Sequence, residues 1–177
     1  MINKIKNKLN SKSKKVLLVN LLLNAFVIIV LILQIFNKNW SSCYYCVMTL
    51  VLFALPPILS DKLEIQLPTP LEIIIYIFIF AAEMLGELGN FYNNFALWDK
   101  MLHITNGFLC AAIGFALIDV LNKSNKIKTH MTPLFVAFVG FCFSMTVGAV
   151  WEIIEYGSDK ILKTDMQKDT IMESYAF

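Results

Sequence analysis

The chain contains no arginine; all fifteen of its basic residues are lysine. That removes the planar fork that grips phosphate bidentately, and a net charge of only +2 gives no global field pointing to nucleic acid. A bias toward Lys, Asn and Ile codons is the simpler origin of the missing arginine. Charge of either sign is scarce, at 16% of residues against about 25% in soluble domains. No segment alternates apolar and polar residues with a period of two, so no strands are expected. There is no small-residue cleavage site after the first apolar run. There is no myristoylation pattern at the N-terminus and no prenylation box at the C-terminus, and no H-E-x-x-H.

What is present is apolar surface in long runs. The 177 residues, enough for one domain, are 58% hydrophobic with a mean hydropathy of +0.65. After a polar segment with six lysines, residues 1–15, the run 16–36 is too long for the core of a signal peptide and reads as a signal anchor, with Asn24 as its polar interruption. Four further segments follow at about 43–59, 71–88, 99–121 and 132–156. About 20 helical residues cross the hydrocarbon core at 1.5 Å per residue. The sequence therefore predicts an all-α, polytopic transmembrane bundle of five helices, with 159–177 as an extracytoplasmic tail. The second helix carries Pro56-Pro57 near its inner end, tolerable where neighbours satisfy the freed carbonyls. The third opens on Thr69-Pro70-Leu71-Glu72, read as N-cap, first-turn proline and capping-box glutamate; the fifth opens on Thr132-Pro133.

Lysine placement orients the bundle. With the N-terminus in the cytoplasm, the inner segments hold Lys4, Lys6, Lys8, Lys12, Lys14, Lys15, Lys62, Lys123, Lys126 and Lys128. The outer segments hold Lys38, Lys100, Lys160, Lys163 and Lys168, the bias expected of the positive-inside rule. Trp40, Tyr44, Tyr45, Tyr92, Trp98, Trp151 and Tyr156 then line the outer interface, as an aromatic belt does. The expected setting is a cell membrane, with the lipid bilayer as the first partner.

In that frame the ionisable residues concentrate at one depth. Glu83 and Glu87 close the third helix, Asp99 and His103 open the fourth, and Glu152, Glu155 and Asp159 close the fifth. Spacings of three and four put each set on one helix face. Those faces carry small residues: His103, Gly107, Ala111 and Gly114 on the fourth helix, and Gly140, Ser144, Gly148 and Glu152 on the fifth. Such stripes mark close helix approach, so the polar groups should face inward. A charged side chain at the bilayer centre costs about 2.5–3.5 kcal/mol, and crowded carboxylates repel unless they share protons or bind a cation. Glu83, Glu87, Asp99, His103, Glu152 and Glu155 are thus candidate ligands for a divalent metal such as Mg²⁺, Mn²⁺, Fe²⁺ or Zn²⁺. Were there chemistry, Glu83, Glu152 and Glu155 would be bases or ligands and His103 a ligand or proton shuttle.

Plainer readings stand beside these. Asp99 also fits an N-cap. Glu87, Glu155 and Asp159 fit solvated helix ends, and His103 a satisfied interface histidine. Glu72 and Asp119 read as cap and interface residues, and His130 as a loop residue. Cys110 and Cys142 read as small core residues. Cys43-x-x-Cys46 lacks the βαβ setting of a thioredoxin-like motif, although its outer position permits a disulfide.

Four stretches carry a family resemblance: 83–92 (EMLGELGNFY), 98–109 (WDKMLHITNGFL), 143–159 (FSMTVGAVWEIIEYGSD) and 165–171 (DMQKDTI). Together they resemble the YjdF-like family of bacterial membrane-spanning proteins. More distantly, the D-K-x-x-H helix start and the acidic segment after a Gly-rich helix resemble VanZ-like proteins. The resemblance covers about the last hundred residues. It implies a membrane fold and brings no activity from the YjdF-like family; VanZ-like proteins imply a link to glycopeptide resistance at the envelope. It also implies a continuation beyond Phe177, often into a sixth hydrophobic segment, and a matching Asp169-Thr170 pair that folds over the outer mouth.

The expectation is therefore an envelope membrane protein with an outward-facing acidic/His site for a cation or a polar lipid head group, with metal-assisted chemistry on it as an extension. A small transporter or proton-coupled carrier is the first alternative, although the inner halves of the last three helices are nearly bare of charge and no internal repeat is evident. A non-catalytic accessory subunit is the second.

Overall fold

The computed structural model describes residues 14–62, 67–123, 131–162 and 166–167, and within them the chain is helical throughout, with no strand. The elements are α1 (Lys14–Phe36), α2 (Trp40–Lys62), α3 (Thr69–Phe80) running into a π-helical segment (Ala81–Leu88), a single turn α4 (Phe91–Asn94), α5 (Trp98–Lys123) and α6 (Pro133–Leu162). Four helices among the described residues, α1, α2, α5 and α6, are long and apolar enough to cross a membrane. They expose large apolar side chains that a soluble protein would bury, including Phe36 (79% exposed), Phe108 (75%) and Leu134 (82%). Apolar surface on that scale needs a non-aqueous neighbour. Lipid supplies it.

The expected third span, 71–88, is realised in two parts. Twelve α-helical residues continue without a break into eight π-helical ones, the backbone at Ala81 keeping α-helical dihedrals. Neither part is long enough alone to count as a span. The start of α3 also corrects the capping-box reading. Pro68 occupies the cap position and makes no side-chain cap bond, the helix begins at Thr69, and Glu72 is buried at 9% exposure, its N–H donating to the Pro68 carbonyl. At α6 the Thr-Pro start holds: the Phe135 N–H donates to Thr132 Oγ1.

The chain divides into two compact units, Met1–Gly89 and Asn90–Phe177. In the first, α1, α2, α3 and the π-helical segment enclose a core of Val16, Val27, Cys46, Phe53, Tyr76 and Met84. Phe53 meets Tyr76 edge-on at 5.7 Å between ring centres, and Phe26 meets Phe80 at 5.5 Å. A hydrogen bond joins Asn20 to Tyr76, and Asn24 Nδ2 donates to the Asn20 carbonyl, so the polar side chains of α1 are satisfied inside the bundle. Cys43 and Cys46 are both buried free thiols, and the disulfide that their spacing permits is not formed. The π-helical segment ends at Gly89, whose N–H donates to the Met84 carbonyl. A Cβ at Gly89 would lie 2.7 Å from the Leu85 carbonyl oxygen, so this turn excludes any side chain.

In the second unit, α5 and α6 pack at Gly107, Gly114, Gly140 and Ser144 of the stripes read from the sequence, whereas a Cβ at Gly148, expected on the same stripe, would meet nothing within 4 Å. Ser144 Oγ donates to the Gly107 carbonyl at 2.8 Å. A Cβ at Gly114 would lie 3.1 Å from the Phe143 ring, and one at Gly140 would lie 3.3 Å from the Ala111 carbonyl. Lipid tails match any apolar side chain, so it is this close backbone approach that holds two membrane helices together. α6 continues six residues beyond the expected end at Tyr156, through Gly157 to Leu162.

Candidate functional site

The α5–α6 packing fixes where the polar side chains meet. One turn before Gly107 on α5 stands His103, and one turn before that Asp99. Two turns beyond Ser144 on α6 stands Glu152, followed by Glu155. His103 Nδ1 faces Glu152 Oε1 at 3.8 Å, and His103 Nε2 faces Asp99 Oδ1 at 3.5 Å. One ligand atom each from His103, Glu152 and Glu155 lies within 4.8 Å of the other two. Ligands that each sit about 2.1 Å from a shared ion are themselves about 3–4 Å apart. The three donors therefore need only a small contraction to close on a cation.

The surroundings differ sharply among the three. Glu152 and His103 are open to water, with side chains 53% and 36% exposed. Glu155 is only 5% exposed. The Trp151 indole N–H donates to its carboxylate, yet Glu155 Oε2 is buried with no hydrogen-bond partner. A buried carboxylate oxygen left unpaired costs about 1–3 kcal/mol or more. A buried carboxylate with an unpaired oxygen, beside an imidazole and a second carboxylate, is where a positive ligand gains most.

The far sides of these side chains are held. Asp99 stands behind His103. Gln167 Nε2 donates to Glu152 Oε2 at 3.5 Å, and the segment bearing it is tied to α6 by Asp159, whose two oxygens accept the N–H groups of Met166 (2.7 Å) and Gln167 (3.0 Å). Asp159 is thus a backbone clasp rather than a solvated helix end. Glu155 is likewise not a solvated end, because α6 runs on past it. Asp99 lies inside the first turn of α5, which begins at Trp98, so it is not the N-cap. Gln167 had no signal in the sequence, since an amide in a tail carries no periodicity to read.

Glu83 and Glu87 belong to the first unit. Both lie in the π-helical segment, and the Tyr45 hydroxyl of α2 donates to Glu87. Among the described residues, the group with metal-ligand geometry is His103, Glu152 and Glu155. His130, Asp169, Thr170 and the lysines of 1–13 and 124–130 lie outside the described residues, as does the side chain of Asp119.

Comparison with known proteins gives a consistent classification. A protein from Thermotoga maritima, carrying the name "Uncharacterized protein", is 29% identical over 107 residues, which span 60% of this chain and 53% of that protein. The chain thus aligns with about half the length of this relative. No solved structure matches. Residues 18–176 match the family model described as "Predicted membrane protein (DUF2238)", which the YjdF-like resemblance of the last hundred residues fits. With nearly the whole chain matched, including both helices that carry the His103–Glu152–Glu155 group, the protein belongs to the DUF2238 family of membrane proteins.

Proposed function

We propose that this membrane protein binds a divalent cation at His103, Glu152 and Glu155 and through it engages a polar lipid head group. One observation carries the reading: Glu155, a buried carboxylate with one oxygen unpaired, offers a ligand atom within 4.8 Å of one from His103 and one from Glu152. Two carboxylates and an imidazole suit Mg²⁺, Mn²⁺, Fe²⁺ or Zn²⁺. Three protein ligands leave further coordination positions open. The exposure of Glu152 and His103 directs those positions to solvent and head groups. A phosphate oxygen is the natural occupant, and an ion holding both it and a water molecule supplies Lewis-acid chemistry. In that extension Glu152 and Glu155 act as ligands or bases and His103 as a ligand.

The frame is a five-span topology with a cytoplasmic N-terminus. It is supported by the lysine bias and by the continuity of Thr69–Phe80 with Ala81–Leu88, twenty helical residues in all. Lys38 then lies outside with the site, and Lys62 inside. Within the first unit, Glu83 and Glu87 share the π-helical segment, with the Tyr45 hydroxyl on Glu87, a separate acidic group in which Glu83 would be the ligand or base. A plasma-membrane setting and the distant VanZ-like resemblance agree with an envelope role.

Metal analysis of purified protein tests the reading. Wild type should retain a stoichiometric divalent ion that the Glu152→Ala/His103→Ala double variant lacks. Equal, near-zero content in both after loading with Mn²⁺ and Zn²⁺ removes the proposal. Binding of phosphate-bearing lipid to the wild type only when the ion is present supports the head-group half.

A further inference from the structure

His103 has two ring nitrogens, and a neutral imidazole carries its proton on one of them. Only the other can hold a metal ion. The hydrogen bond made by the protonated nitrogen decides which is which, and metal-bound histidines almost always donate that bond to a carboxylate, a carbonyl or water. Here the two nitrogens face different partners. Nδ1 points at Glu152, one of the proposed ligands, while Nε2 points at Asp99 Oδ1 at 3.5 Å. Asp99 and His103 are four residues apart in α5, so helix geometry holds this pairing whatever happens at the metal. On α6 the groups clustered with the histidine are Glu152 and Glu155; the ring itself stands between Glu152 and Asp99.

We propose that Asp99 is a positioning residue, not a ligand: it accepts the Nε2 proton of His103 and so commits Nδ1 to the cation shared with Glu152 and Glu155. The inference rests on the cation-site reading and refines the ligand set, dividing four clustered groups into three that touch the ion and one that orients the imidazole. The placement also accounts for the two different contacts of one ring. A fourth ligand would sit on the Nδ1 side with Glu152, whereas Asp99 sits on the opposite nitrogen.

The division is testable with three variants in the full-length protein. Asp99→Asn keeps a carbonyl oxygen that accepts the Nε2 proton, Asp99→Leu removes the acceptor at similar size, and Glu155→Gln removes a ligand. Mn²⁺ binding is followed by electron paramagnetic resonance. The imidazole tautomer is read in the metal-free protein from ¹⁵N-histidine NMR, with His130→Gln assigning the two histidines. Wild type should show His103 protonated on Nε2. Asp99→Leu should scramble that tautomer and weaken Mn²⁺ about 10–100-fold, the usual cost of losing such a support. Asp99→Asn should restore the tautomer and most of the affinity, while Glu155→Gln should abolish binding. Loss in Asp99→Asn equal to that in Glu155→Gln makes Asp99 a ligand and overturns the inference. So does an unchanged tautomer with unchanged affinity in Asp99→Leu. Wild type that binds no Mn²⁺ but shows the Nε2 tautomer sinks the cation reading and spares the Asp99–His103 pairing.

Discussion

Glu155→Gln should make the protein more stable without divalent cation and less stable with it. The glutamate is 5% exposed and one of its oxygens has no hydrogen-bond partner. An unpaired buried acceptor costs about 1–3 kcal/mol, and more when charged. Glutamine keeps the shape and the acceptor for the Trp151 indole, and replaces the orphaned oxygen with a neutral group. In chelator, the variant should therefore gain on the order of 1 kcal/mol. Wild type gains by binding: at a free cation concentration 100 times the dissociation constant, linkage stabilises the folded state by about 2.7 kcal/mol. The order of the two proteins should therefore invert between EDTA and saturating Mn²⁺. Unfolding in mixed detergent micelles, followed by tryptophan fluorescence as the denaturing detergent is titrated, measures both conditions. A variant less stable than wild type in EDTA, or one that keeps the full Mn²⁺ shift, would refute the reasoning.

Other outcomes follow from the packing. Ser144→Ala should weaken the α5–α6 pair by about 0.6 kcal/mol, a typical interhelical hydrogen bond in membranes, whereas Gly140→Val, placing bulk 3.3 Å from the Ala111 carbonyl, should cost about 1–3 kcal/mol; the same detergent titration ranks them. Gly89→Ala should destabilise the first unit by a similar amount, about 1–3 kcal/mol, since its Cβ would meet the Leu85 carbonyl at 2.7 Å; hydrogen exchange in Ala81–Leu88 should rise. Asp159→Asn keeps one acceptor for the Met166 and Gln167 N–H groups and should loosen that segment, read as faster protease nicking near Gln167. For topology, a cysteine at Lys38 should label from outside in intact cells and one at Lys62 should not; the reverse pattern inverts the proposed orientation.

Much of the architecture was legible because it rests on period and composition. The apolar runs located the four long apolar helices of the described residues. The stripes through Gly107 and Gly114 on one helix, and Gly140 and Ser144 on the other, identified the contact that the Ser144–Gly107 hydrogen bond makes. Two things were hidden for physical reasons. A π-helical turn leaves no mark in hydrophobic pattern, since Ala81–Leu88 reads the same with α spacing. The burial of Glu155 was hidden because the charged residues after Tyr156 look like a helix end, whereas α6 continues to Leu162 and brings Glu155 about two turns inside it. Helix ends are where side-chain capping competes with propensity, and the start of α3 at Pro68–Thr69 shows the same weakness. Within the candidate site, His103 and Glu152 were readable as the polar ends of small-residue stripes. Gln167 was not, because its place beside Glu152 goes with the Asp159 carboxylate that accepts the Met166 and Gln167 N–H groups.

The length of α6 has a consequence for where an ion would be met. Thirty residues at 1.5 Å each make a rod of about 45 Å, while the hydrocarbon slab is about 30 Å thick. With its proline start near one face of the slab, the last ten residues, from Ile153 onward, project into the zone of glycerol esters and phosphates at the other. On that placement Glu152 and Glu155 would stand at the boundary, at the depth where hydrated ions shuttle between neighbouring lipids. An ion arriving there could exchange a lipid's oxygens for the protein's without crossing open water or entering the oily interior.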